Sequence, residues 1–201
     1  PIFQEFSSQL AAVSLPQVIY EEQLVFCQKL LQYAAEKQLS VEVNSWDTWY
    51  LTKEAGVNMR SGPGMAVLNA NAARFLAAKG CQPIMISQEI DEIQLEELCQ
   101  NAEVPLILCV FARPALMLTR VQMPENFKSE NAESFQDARG IKLQPSKEGL
   151  LTVLRPELPY DWRGVKNQKI KVAELQLDLI GSKNPRNDLA SKSKTPFLFN
   201  L

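Results

Sequence analysis

Short apolar segments alternate regularly with longer amphipathic segments between residues 15 and 111, and this alternation constrains the fold most. An apolar run of about four to eight residues is typical of a strand buried on both faces, as in a parallel sheet. Strands that alternate with helices predict an α/β domain, either a doubly wound sheet or a (β/α) barrel. The five predicted strands are Leu15–Tyr20, Ser40–Asn44, Val57–Arg60, Pro83–Ser87 and Pro105–Phe111.

Helix signals lie between these strands. Glu21 in a first turn indicates one helix, and Asp47 is the predicted N-cap of a short second helix. The turn Ser61–Gly64 precedes a long amphipathic segment, which predicts a third helix with Phe75 on its buried stripe. Asp91, with Gln three residues later, has the pattern of a capping box and predicts a fourth helix.

The alternation ends after Met123. Ile141–Gln144 and Leu150–Arg155 predict a β-hairpin with its turn over Pro145–Gly149. Val172–Ile180 is expected to return to the sheet. We therefore expect one domain over residues 1–181 and a polar, basic tail with little regular structure over 182–201. Since the first residue is Pro rather than Met, we expect the chain to be the C-terminal part of a longer protein.

The composition excludes several classes of chemistry. The chain contains no histidine, which rules out histidine-dependent triads, zincin-type zinc sites and imidazole relays within it. Its four cysteines lack CxxC spacing, so we expect buried free thiols rather than a zinc ribbon or disulfides. No apolar run approaches the roughly 20 residues of a membrane-spanning helix. We expect a cytoplasmic protein that does not bind membranes.

The formal net charge of −2 conceals an asymmetry along the chain. Residues 1–109 carry 6 basic and 13 acidic side chains, a net −7, and residues 110–201 carry 15 and 10, a net +5. The basic second part fits an anionic partner such as RNA. A solvated face followed by a basic tail explains the same pattern and stays open as the alternative.

Side chains that follow the predicted strands are candidates for a site, because the carboxyl ends of parallel strands meet at one edge of a sheet. Gly62 and Gly64 form a turn before a helix that begins near Asn69, and such a turn either binds an anion or is a plain structural turn. Glu89 follows the fourth strand, as a catalytic carboxylate or an ordinary loop residue.

Arg113 and Arg120 follow the fifth strand and make the strongest predicted anion site. A guanidinium group binds a carboxylate or phosphate through two parallel hydrogen bonds. The alternative is that these arginines form salt bridges, with Glu89 or Asp137 as partners.

Several motifs, in order, resemble the collagenase-like peptidase family U-32, over about residues 40–180. They are Gly62–Asn69 (GPGMAVLN), Ile84–Glu89 (IMISQE), Cys109–Arg120 (CVFARPALMLTR) and Asp137–Gly140 (DARG). The resemblance implies a partial or divergent (β/α) TIM-barrel-like fold with a hairpin insertion near 141–155. It also implies a peptidase of unassigned mechanism. The candidate catalytic residues are then Glu89 and Asp137, and the candidate ligand-binding residues are Gly62, Gly64, Asn69, Arg113, Arg120 and Arg139.

Other members of that family are RNA-base or quinone-precursor hydroxylases with an iron-sulfur cluster on four cysteines. Val121–Pro124 stands where those relatives have a cysteine, so we expect no cluster, no metal and no other cofactor in this chain. A hydroxylase-related protein and a non-catalytic scaffold that binds an anion or RNA are the alternative functions. The expected partners are a peptide or an RNA.

Overall fold

A computed structural model of the chain describes residues 9–121, 135–163 and 167–191. The chain divides into two compact units. The first extends to Leu108 and includes Asn167–Glu174, and the second begins at Cys109 and takes up the chain again from Leu175. The sequence had predicted a single domain over residues 1–181.

Parallel strands that follow chain order make up the sheet of the first unit. Strands β1 (Ala12–Ser14), β2 (Ser40–Val43) and β3 (Met59–Ser61) are hydrogen-bonded in that order, and all are parallel. A parallel bridge joins β3 to Cys81, shortly before β4 (Ile84–Met85). β4 in turn pairs in parallel with the beginning of β5 (Leu106–Ala112).

Helices lie between these strands. They are α1 (Glu21–Lys37), α2 (Trp46–Glu54), α3 (Ala70–Ala78) and α4 (Glu92–Asn101), and a 3-10 turn covers Pro63–Met65. α1 contacts β1 and β2, α2 contacts β2 and β3, and α3 contacts β4 and α4. α1 and α2 therefore pack beside the two strands that each connects, and α3 packs beside β4, as expected for successive strand-helix units.

The two faces of the sheet β1–β3 differ in character. Val13, Val41 and Met59 are paired in register and buried, and the next residue of each strand points to the opposite face. Apolar side chains on the helices, such as Leu31, are buried as well. The helices thus pack on the apolar face, and the other face carries the polar side chains described below.

The second unit is built mainly from antiparallel strands. β6 (Met117–Thr119), β7 (Phe135–Gln136), β8 (Lys142–Glu148) and β9 (Leu151–Pro156) form a sheet in the order β6-β9-β8-β7. The end of β5 pairs with β10 (Tyr160–Asp161), and β11 (Glu174–Leu177) also pairs with β5. A short helix, α5, covers Pro185–Ala190.

The predicted α/β class is confirmed, with parallel strands in the first unit and mixed pairing elsewhere. The described residues form no closed barrel. Nor do they include a helix long and apolar enough to cross a membrane.

Several local predictions were wrong. The first strand was placed at Leu15–Tyr20, but β1 ends at Ser14, shortly before the proline at position 16, which has no backbone N–H. The hairpin is confirmed, but its turn is Gly149–Leu150, where Gly149 has a φ of 62°. In the predicted tail, residues 185–190 form a helix, and residues 192–201 lie outside the described residues.

Candidate functional site

A row of polar side chains crosses the helix-free face of the first unit's sheet. Ser14 on β1 pairs in register with Glu42 on β2, and Glu42 pairs with Arg60 on β3. Adjacent strands lie about 4.8 Å apart, so Glu42 is a direct neighbour of Ser14 on one side and of Arg60 on the other. We call Ser14, Glu42 and Arg60 the polar row.

Asn44, two residues after Glu42, orients one end of the polar row. Its Nδ2 donates to the Ser14 hydroxyl at 3.0 Å and to the carbonyl of Leu15 at 2.8 Å. The Ser14 hydroxyl donates to Oε1 of Glu42 at 3.0 Å. Because Asn44 is itself buried, this chain of hydrogen bonds holds Ser14 and Glu42 in fixed positions.

The glycines of the predicted anion-binding turn serve this network. The Gly64 N–H donates to Oδ1 of Asn44 at 3.1 Å, and the Gly62 N–H donates to the carbonyl of Val43 at 2.8 Å. A Cβ at Gly62 would lie 2.2 Å from Oδ1 of Asn44 and 2.8 Å from Cγ of Glu42. Both amide groups thus donate hydrogen bonds within the protein, as in a plain structural turn, which was one of the two alternatives that the sequence left open.

Arg60 lies at the other end of the row and is nearly enclosed. Only 13 % of its side chain is exposed, and its Nη2 donates to Oε2 of Glu174 at 2.6 Å. The buried Nε of Arg60 has no hydrogen-bond partner in the described part of the chain. Glu174 is the first residue of β11, and 46 % of its side chain is exposed.

This arrangement places opposite charges on neighbouring strands of the same face of the sheet, with Arg60 nearly enclosed. An arginine presents five N–H donors in a planar fork, and Arg60 uses one of them on Glu174. Beside it, the Glu42 carboxylate accepts from a hydroxyl and has the charge to accept from a cation. The polar row can therefore bind a ligand that carries both a carboxylate and an ammonium group.

Two other predicted residues of the first unit have local roles. Asn69 is the N-cap of α3, and its Oδ1 accepts from the N–H of Ala72 at 2.9 Å. Glu89 is exposed after β4, and its backbone N–H donates to the hydroxyl of Ser87 at 3.2 Å.

Arg113, in the second unit, is buried and engaged in a salt bridge. Its Nη1 lies 2.8 Å from Oδ2 of Asp188 on α5, and its Nε donates to the carbonyl of Glu157 at 3.0 Å. The salt-bridge alternative thus describes Arg113, with Asp188 as the partner. Arg120 lies exposed just beyond β6.

Asp137 and Arg139 form a turn at the start of the hairpin region. Oδ1 of Asp137 accepts from the N–H groups of Arg139 and Ile141, both at 2.9 Å, and Oδ2 accepts from Nε of Arg139 at 3.1 Å. These bonds, with that to Ile141 contributing most, lower the pKa of Asp137. An acid held ionised in this way is suited to stabilising a turn.

The cysteines are free thiols, and most of them are buried. Cys27, Cys81 and Cys109 are buried, as predicted, and all four thiols are free. Burial raises the pKa of Cys81 to about 11, so this thiol is protonated at neutral pH. Over the part of the chain that the structure describes, no three His, Cys, Asp or Glu side chains lie close enough to hold a metal ion.

The sequence predictions did not include the polar row. Ser14, Glu42 and Arg60 lie on three segments separated by helices, so only the strand register brings them together. The available signal was a polar residue at an alternate position within an otherwise apolar strand, which marks a face that helices leave open.

Comparisons of the chain with models of protein families, with curated proteins and with solved structures found no match. The geometry of the polar row is therefore the basis for assigning a function.

Proposed function

We propose that this chain is a protein of the peptidase U-32 type that binds a short peptide on the polar row. The observation that carries the proposal is the pairing in register of Glu42 with Arg60 on neighbouring strands, on the face opposite the buried Val41 and Met59. A carboxylate beside a guanidinium group matches a ligand with an ammonium and a carboxylate group. The order of the motifs that resemble that family supports the same ligand class.

The spacing of the two charges favours a short ligand. Glu42 and Arg60 are one strand spacing apart, about 4.8 Å, and an extended residue spans about 3.3 to 3.6 Å. The two ends of a dipeptide match this separation within the reach of the side chains. The ends of a longer extended peptide exceed it.

Titration of alanyl-alanine into the protein, followed by calorimetry, tests the proposal. We expect saturable binding that Glu42→Gln weakens about 10- to 150-fold, because a hydrogen bond to a charged group contributes about 1.5 to 3 kcal/mol. Glu54→Gln, an exposed acid near the end of α2, is the matched control and should bind as the parent protein does. Absence of dipeptide binding at millimolar concentration would refute the proposal.

Hydrolysis is a separate question from binding. Mass spectrometry of the bound dipeptide after prolonged incubation tests the peptidase activity that the resemblance implies. Release of alanine that is lost in Glu42→Gln supports that activity, and binding without release supports a non-catalytic peptide-binding role.

A further inference from the structure

We propose, on the basis of that function, that Arg60 selects ligands with a free carboxylate and that Glu174 occupies the same position when no ligand is bound. The ion pair between Arg60 and Glu174 joins residues 114 positions apart in the chain, at an N–O distance of 2.6 Å. Glu174 thereby presents to Arg60 the chemical group that a peptide would bring.

The hydrogen-bonding capacity of Arg60 is the first reason. Its contact with Glu174 is through Nη2 alone, while the buried Nε has no partner among the residues described. A buried donor without a partner costs about 1 to 3 kcal/mol. A carboxylate that approached the edge formed by Nε and Nη2 would satisfy both donors at once. The present one-point contact is thus weaker than the contact that a ligand can make.

The difference in exposure between the partners is the second reason. The Arg60 side chain is only 13 % exposed, whereas that of Glu174 is 46 % exposed. Moving Glu174 into solvent therefore requires little desolvation or repacking, and Arg60 stays in place. Because a ligand carboxylate takes the place of the Glu174 carboxylate, Arg60 keeps a charged partner, and the exchange avoids the cost of leaving a buried charge unpaired.

The shape of the guanidinium group favours a carboxylate as the ligand group. A planar fork of two N–H donors matches the two oxygens of a carboxylate, and the group already bound there is a carboxylate. Phosphate satisfies the same fork, so the experiment has to separate these two anions.

The test compares alanyl-alanine with its C-terminal amide in the parent protein, Arg60→Lys and Glu174→Gln. We expect the free acid to bind at least tenfold more tightly than the amide to the parent protein. Arg60→Lys should remove this preference, because lysine cannot make the two-point contact. Glu174→Gln should tighten binding of the free acid about twofold to fivefold and leave the amide unchanged.

The matched control is Arg74→Lys, a change at an exposed arginine on α3 in the same unit, which should keep the preference. Thermal unfolding of each variant confirms that it is folded. Equal binding of acid and amide would overturn the role of Arg60 while leaving dipeptide binding intact. Absence of binding by both compounds would overturn the proposed function itself. Competition by inorganic phosphate at lower concentration than acetate would overturn the assignment to a carboxylate.

Discussion

At the scale of single residues, local signals were predicted well and contacts across strands were not. Asp91 was identified as an N-cap, and its Oδ1 accepts from the N–H of Gln94 at 2.7 Å. The cap of α2 was placed at Asp47, but it is Ser45, whose hydroxyl accepts from the N–H of Thr48. Both residues are good caps, so sequence preference alone could not choose between neighbours.

Phe75 illustrates the same limit. It was predicted to lie on the buried stripe of α3, but 51 % of it is exposed, where it packs edge-on against Trp46 with ring centroids 6.0 Å apart. Leu76, which was predicted on the same stripe, is buried as expected, and Ala73 is buried as well. The apolar spacing predicted the helix α3. How much of Phe75 is buried depended on its packing against Trp46 of the neighbouring helix α2.

Gly64→Ala is a residue-scale prediction. A Cβ at this position would lie 2.3 Å from the backbone carbonyl oxygen of Asn44, which cannot move without disturbing β2. We expect the variant to lose about 1 to 3 kcal/mol of unfolding free energy, measured by urea denaturation. Gly56→Ala is the comparison, since nothing lies within 4 Å of its added Cβ and only its φ of +66° opposes the change. An unfolding midpoint for Gly64→Ala equal to that of the parent would contradict the packing described.

At the scale of elements, pairing was easier to predict than turns. The alternation in residues 141–155 predicted β8 and β9, but the apparent turn residues Pro145 to Glu148 continue β8, and Pro145 pairs with Leu154. A two-residue turn with glycine first matches the twist of a hairpin better than a five-residue loop does. The helix α5 was missed because it is only six residues long, contains the polar run Arg186–Asp188, and docks through Asp188.

The docking of α5 gives a pH prediction. The hydrogen bond from Arg113, followed by that from the Ser182 hydroxyl, lowers the pKa of Asp188 below its usual value. A carboxyl with a lowered pKa in the folded state stabilises the protein at neutral pH, and this contribution is lost as the pH falls below about 4. Asp188→Asn should therefore destabilise the protein by about 1 to 3 kcal/mol at pH 7. The difference from the parent should shrink in acid, and a constant difference by urea denaturation between pH 7 and 3 would count against this ion pair.

Asp178 provides the opposite case in the same unit. Burial raises its pKa, the charge of Glu148 acts in the same direction, and a hydrogen bond from Ile180 and the charge of Arg155 act against it. Its charged form is therefore unfavourable in the folded state, and its stabilising contribution is lost as the pH rises through the folded pKa. Asp178→Asn should stabilise the protein at pH 7 and lose that advantage below about pH 4. Thermal unfolding at the two pH values checks this, and a destabilised variant at pH 7 would be the contrary result.

At the scale of the whole molecule, the α/β class followed from the alternation of segments, whereas the ion pairs made by the basic side chains of the second part did not follow from the sequence. Several arginines there are paired with nearby carboxylates. The pairs are Arg113–Asp188, Arg139–Asp137, Arg155–Glu148 and Arg163–Asp161. Counting charges along the sequence could not show these ion pairs. The partner of Arg113 lies on α5, and the partner of Arg155 lies on the adjoining strand β8.

These ion pairs leave the net charge of the second part at +5, but they hold four of its basic side chains against carboxylates. A nucleic acid would have to compete with those carboxylates for the arginines. We expect no saturable binding of a single-stranded oligouridine at about 50 mM salt, where nucleic-acid binding is favoured. Fluorescence anisotropy with a labelled oligonucleotide measures it. Binding that weakens steeply as salt is added would contradict this expectation and support the RNA-directed alternative.

If Arg60 on the polar row binds the ligand, its Nε–H group should respond when the ligand is added. An NMR titration with alanyl-alanine that follows the arginine Nε–H resonances measures this response. We expect that one Nε–H signal, absent from the spectrum of Arg60→Lys, shifts downfield and exchanges more slowly with water as the buried Nε acquires an acceptor. An Arg60 signal that stays in place while the dipeptide saturates the protein would contradict it.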